Sequence, residues 1–273
     1  MIAEAAEHVV RHAEAPAEAH GGIPELANVV TVLSDRWHDA PLVSWLHHWE
    51  NLVFAGVVAL GLCLLTWHYT RSPRTIPHGW QNVLELLVDG VDRFVQSILG
   101  HAGRRYTPFI GTLFLYIWLM NLSVLIPGMK SSTSNINTTV GLAIVVFGYV
   151  QWIGIRLNGP LKYLDHLAGS PRDLIGWALV PLMLPIHVLG ELIKPLSLSL
   201  RLAFNVFAED VLLAVLVGLG ITAGLALHLP IGLPLQAFVV PLVLIFSTVQ
   251  ALVFSLLSTV YIALMLPHGE PSH

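Results

Sequence analysis

Lys194-Pro195-Leu196-Ser197-Leu198-Ser199-Leu200-Arg201-Leu202-Ala203-Phe204-Asn205 sets a fixed charge inside an apolar stretch that runs from about residue 173 to about residue 222. Arg201 cannot shed that charge, because a guanidinium titrates above about 12. Holding it at membrane depth costs at least roughly 2.5–3.5 kcal/mol on insertion scales. Charged side chains kept at such depth mark ion and substrate pathways, so Arg201 is the first functional candidate.

Composition places the chain in lipid. Hydrophobic residues make up 55% of it and charged residues 11%, against about 25% charged in a soluble domain. The net charge of −4 says little about partners, since eight of the 17 acidic residues precede residue 51. His8, His12, His20, His38, His47 and His48 lie in the same segment. Their irregular spacing among Ala, Glu, Gly and Pro reads as a loosely ordered extracytoplasmic arm over 1–50, not a metal site. The segment lacks the basic start and apolar core of a signal peptide. Cys63 is the only cysteine, which excludes an internal disulfide.

Residues 51–273 read as one all-α membrane domain of about five spans. Leu52–Trp67 is the first, with Trp67 and Tyr69 as interfacial anchors. The second runs from about Tyr106 to Ile126 and the third from about Thr139 to Ile155. Between the first two, Leu84, Leu87, Val88, Val91, Phe94, Val95 and Ile98 recur at helical spacing. Glu85, Asp89, Asp92, Arg93 and Gln96 lie opposite them, the pattern of a cytoplasmic amphipathic helix at the membrane surface. The two loops that flank spans two and three on one side hold eight of the 13 basic residues. The positive-inside rule puts those loops in the cytoplasm, the N-terminus outside and, after five crossings, the C-terminus in the cytoplasm.

The last two apolar stretches, about 174–222 and 235–266, are too long for upright spans. The first would run roughly 73 Å as a helix, against about 30 Å of hydrocarbon. Pro181, Pro185, Pro195, Gly218 and Gly220 offer break points, and Pro230 and Pro234 mark a turn. The pattern predicts a hairpin of two long, tilted, antiparallel helices over 174–266. Tilt of that size calls for a protein neighbour.

Polar groups punctuate the hairpin. Asn205 is four residues after Arg201 and shares its face; Glu209 lies four further on and broadly on that side. Asp210, nine residues from Arg201, falls about 180° round and about 13.5 Å along, so the two do not pair on a straight helix. On the returning helix Ser247, Gln250, Ser258 and Tyr261 add polar groups, with Gln250 near the expected depth of Arg201. Ser197, Ser199, Ser247 and Ser258 read first as helix-to-helix hydrogen bonders. For Glu209 and Asp210 the ordinary alternative is an interfacial carboxylate reaching water. Lys194 reads as a side chain snorkelling to the cytoplasmic interface.

These residues resemble subunit a of the F-type rotary ATP synthase. The likeness is close from Lys194 through Arg201 to Asn205, continues at Asp210, and resumes at Gln250-Ala251 and Val260-Tyr261. Weaker echoes are Pro77-His78-Gly79-Trp80-Gln81-Asn82, Pro108-Phe109 through Phe114, Asn121-Leu122 to Ile126-Pro127-Gly128, and Asn135 to Thr139. Two departures stand out. Phe204 occupies a position where the family usually has glycine, and Val243 one where some members have histidine.

The resemblance implies a non-catalytic stator subunit of a proton-translocating complex in a bacterial cell (inner) membrane. Protons would enter an outer half-channel near Asp210, Glu209, Asn205 and Gln250. They would load a carboxylate on a rotating ring of small c-type subunits and leave by a second half-channel, for which Glu191 and His187 are candidates. Arg201 would separate the two paths. The implied partners are that ring, b-type peripheral-stalk subunits and the bilayer, with no nucleic acid, metal or cofactor. A sodium-translocating version fits the same residues. A secondary transporter, the rival from another class, predicts internal repeats, and the first three spans bear no likeness to the hairpin.

Overall fold

The computed structural model describes residues 45–46, 48–71, 79–126, 128–129, 131–160, 163, 174–226 and 233–266. The arm up to residue 44, Arg74, Pro77-His78, Pro127, Lys130, Lys162, Arg172 and Pro230 lie outside them. All regular structure among the described residues is helical: α1 (Glu50–Thr70), α2 (Trp80–Leu99), α3 (Thr107–Leu122), α4 (Ile136–Asn158), α5 (Leu174–Ala226) and α6 (Val240–Met265). Short 3-10 turns at Gly100–Arg105, Ser123–Leu125, Ser132–Ser134 and Leu235–Phe238 flank them. Five helices are long and apolar enough to cross a membrane, at Glu50–His68, Thr107–Leu125, Ile136–Asn158, Val180–Ala226 and Val240–Met265. These are the five stretches expected from the sequence, and the chain is a multi-pass membrane protein.

α5 is one helix of 53 residues with Pro181, Pro185 and Pro195 inside it. The helix runs through all three candidate break points, in keeping with the long helix expected here. Each proline withdraws one backbone donor, and a membrane helix tolerates that where water, side chains or local adjustment take up the freed carbonyl. α6 starts later than its apolar stretch, because the residues after Pro234 form a 3-10 turn first.

The fold groups into two compact units. One comprises the described residues up to Cys63, Tyr116–Asn135 and Phe204–Gln250. Its core joins Val124, Leu213 and Val243, with Leu125 and Val239 packed on them. The link after α3 is held by buried hydroxyls: Ser123 and Ser131 donate to the Met120 carbonyl at 2.7 and 3.1 Å, and Thr133 donates to Asn121 Oδ1 at 2.7 Å. These bonds satisfy polar groups that would otherwise be costly to bury. Gly218 and Gly220 do not break α5. Gly220 is instead where the returning chain touches it, as its carbonyl accepts from the Leu233 N–H at 2.9 Å. A Cβ there would stand 2.1 Å from the Leu233 carbonyl oxygen, so only glycine fits.

The second unit comprises Leu64–Leu115, Ile136–Ala203 and the described residues from Ala251. Val95, Ile110, Val146, Leu198, Leu202, Phe254 and Ile262 are buried in it. α2 turns Leu84, Leu87, Val91, Phe94, Val95 and Ile98 inward as the pattern predicts, while Val88 is exposed. Glu85, Asp89 and Arg93 face out, and Arg93 pairs with Asp89 at 2.6 Å. Asp92 departs from that polar face: it accepts from Thr107 Oγ1 at 2.6 Å and ties α2 to the start of α3. Arg71 stacks over Trp67 and Arg156 over Trp152, 5.3 and 5.0 Å from the ring centroids. Such cation–aromatic pairs suit helix ends at a water–lipid boundary.

Candidate functional site

In the first unit the polar residues gather on Glu209. Its side chain is 5% exposed. Asn205 Nδ2, one turn earlier on α5, donates to Oε1 at 2.9 Å, and Ser247 Oγ of α6 donates to Oε2 at 3.1 Å. Glu209 is therefore no interfacial carboxylate reaching water. It is a buried acid with each oxygen held by a neutral donor, chemistry suited to taking up and releasing a proton. Gln250, three residues after Ser247 and so on the same side of α6, is buried at 7% exposure. Asp210 is half-buried.

Ser247 thus does more than join helices: it donates to the acid. Ser199 and Ser258 do not join helices through their hydroxyls, which donate back to the Leu196 and Phe254 carbonyls of their own helices at 2.9 and 2.8 Å. Back-bonding of this kind is open to any helical serine, and spacing alone does not reveal it. Ser197 is exposed.

In the second unit Arg201 is exposed on α5, on a stretch where Ile193 and Leu196 are exposed too. A charge that faces out on so apolar a helix is suited to a partner outside the chain. His187 is exposed, its Nδ1 at 3.0 Å from the Met183 carbonyl. Lys194 does not extend freely to an interface. It forms an ion pair with Glu191, and its ammonium lies 5.6 Å from the centre of the Tyr261 ring on α6.

Two further groups complete this cluster. Gln151 of α4 donates Nε2 to Glu191 Oε2 at 3.4 Å, and the Tyr163 hydroxyl donates to Gln151 Oε1. Burial, with the Glu191 charge adding to it, pushes the Tyr163 hydroxyl above the ordinary phenol range, which keeps it a donor. Sequence reasoning passed over both residues. Gln151 sits in an ordinary span and Tyr163 lies after it, 40 and 28 residues from Glu191 in sequence. Neither carries a local signal.

The sequence profile of the ATP synthase A chain matches residues 52–263, which takes in α2–α5, all but the last two residues of α6 and all the residues of both clusters. The chain belongs to the ATP synthase subunit a family. ATP synthase subunit a of Protochlamydia amoebophila (strain UWE25) is 42% identical over 248 residues, 91% of each chain. ATP synthase subunit a 1 of Syntrophotalea carbinolica (strain DSM 2380 / NBRC 103641 / GraBd1) is 36% identical over 233 residues, 85% of this chain and 89% of that one. ATP synthase subunit a of Aliarcobacter butzleri (strain RM4018) is 39% identical over 204 residues, 74% of this chain and 82% of that one.

Within this subunit a family member the two departures have a physical setting. Phe204 is 58% exposed, so its bulk points away from the packed side of α5. Val243 is 1% exposed in the core with Val124 and Leu213, a position that takes an apolar side chain without cost.

Proposed function

We propose that the chain is the membrane stator subunit of a rotary ATP synthase, itself non-catalytic, which conducts protons through two half-channels to and from a carboxylate on a rotating ring. The observation that carries this reading is Arg201, a permanent cation exposed on α5, on a stretch where Ile193 and Leu196 are exposed too. In lipid such a charge is costly until an anion meets it. A ring carboxylate that arrives, loses its proton and moves on supplies that anion transiently. Arg201 favours the ionised form as the carboxylate passes, and its fixed charge bars a direct proton leak. On the outer side, Glu209 with Asn205 and Ser247 serves as the loading group, with Asp210 and Gln250 along the same path. Glu191 and His187 serve the cytoplasmic side. The N-terminus lies outside, the C-terminus in the cytoplasm, and b-type stalk subunits hold the chain against the ring.

The test uses membrane vesicles that carry the whole complex with Arg201→Ala. ATP-driven acidification is expected to vanish while assembly is retained, and passive proton leak to rise once the soluble part is stripped. A variant that pumps like the parent rules the mechanism out. Repeating the assay with and without sodium distinguishes the two ions.

A further inference from the structure

We propose that Gln151 and Tyr163 form a strap that positions Glu191 as the proton-release group of the cytoplasmic half-channel, an inference that rests on the stator reading above.

The strap is built from the end of α4. Gly159 closes that helix with φ 80°, a left-handed conformation that suits glycine, and its N–H donates to the Ile155 carbonyl at 2.9 Å. The Tyr163 N–H then donates to the Gly159 carbonyl at 3.0 Å. The Tyr163 ring comes to lie on Gly154, where an added Cβ would stand 3.2 Å from Cε2. That close approach lets the hydroxyl reach Gln151, one turn earlier on the same helix. Gln151 is held at both ends of its amide: the oxygen accepts from Tyr163, and the nitrogen donates to Glu191 Oε2. Its orientation is fixed by the pair of bonds.

Glu191 is consequently shared. One oxygen meets Lys194 and the other meets Gln151. Among the described residues, Lys194 on α5 pairs with it, Tyr163 beyond α4 and Tyr261 on α6 feel its charge, and Tyr261 also feels Arg201; His187 stands one turn earlier on α5. Lys194 alone would leave the carboxylate free to turn about its last bond. Gln151, a neutral donor on the opposite oxygen, holds both oxygens in one orientation without adding charge. Gln151 and Tyr163 never carry the proton; they position the group that does.

The experiment measures passive proton conduction against cytoplasmic pH in stripped membranes, with the amount of assembled complex measured alongside. Tyr163→Phe keeps the ring on Gly154 and removes only the hydroxyl. It is expected to slow conduction about tenfold and to shift the pH of half-maximal conduction by about one unit, as expected for a lost interaction of about 1.4 kcal/mol. Gln151→Leu is expected to do the same, and it decides the matter if Tyr163→Phe assembles poorly. Glu191→Gln is expected to flatten that limb of the profile. Parent-like conduction in both strap variants overturns the proposal, as does slower conduction with an unmoved pH profile, which packing alone would give. Failure of the stator reading registers separately, as parent-like pumping in Arg201→Ala.

Discussion

Among the described residues Glu209 is held by two neutral donors and no cation, which makes each donor count. Deleting one hydrogen bond to a buried group costs about 1 kcal/mol, or about a fivefold change in a rate that depends on it. Ser247→Ala is therefore expected to lower ATP-driven pumping about fivefold, with assembly unchanged. Ser258→Ala serves as the control. Its hydroxyl bonds only back to Phe254 on its own helix, and pumping is expected to stay at the parental rate. Equal losses in both variants would show that Ser247 matters for packing rather than for the acid. At this scale the sequence displayed Arg201, Asn205, Glu209, Asp210 and Gln250, because charged and amide groups stand out in an apolar run. It did not display which acid is buried, since Glu209 and Asp210 are neighbours and only the packing of α6 against α5 tells them apart. Nor did it display Gln151 and Tyr163, which meet only once the residues beyond α4 fold against its last turns.

Among the elements, α5 and its turn repay attention. The apolar stretches revealed all five spanning helices to within a few residues, because lipid demands an unbroken run of apolar side chains. The prolines marked possible breaks, yet all three lie inside one helix, where a soluble protein would more often end it. Gly220 likewise looked like a breaker and is a contact point. Its missing side chain leaves room for the Leu233 carbonyl, a backbone atom that cannot swing aside. Gly220→Leu is expected to destabilise the turn by about 3 kcal/mol. Thermal unfolding of the complex in detergent should show a lower midpoint and a reduced yield of assembled subunit. Gly218→Ala, which meets nothing within 4 Å, is expected to change neither. A Gly220→Leu protein as stable as the parent would mean that the turn closes differently.

For the whole molecule the outstanding issue is orientation, which rests on the uneven spread of 13 basic residues. Cys63 is exposed and is the only cysteine, so its replacement by serine gives a clean background for thiol labelling. In that background Ile126→Cys, at an exposed position after α3, is expected to react with an impermeant maleimide added outside intact cells. Arg93→Cys, on the outer face of α2, should react only in inverted vesicles. The reverse pattern would turn the molecule over and exchange the sides of the two proposed half-channels. Charge asymmetry was legible without a structure because it acts during insertion, before any tertiary contact forms. The grouping into two units was not, because it follows from contacts between residues far apart in the chain.

Pro195 carries one more consequence. Having no N–H, it cannot close the helical bond to the carbonyl four residues earlier, and that carbonyl belongs to Glu191. The helix therefore leaves an acceptor for solvent beside the Glu191 carboxyl. Water drawn to the polar side chains here would find a backbone partner as well, and on the proposed cytoplasmic path it would owe that foothold to a missing backbone hydrogen.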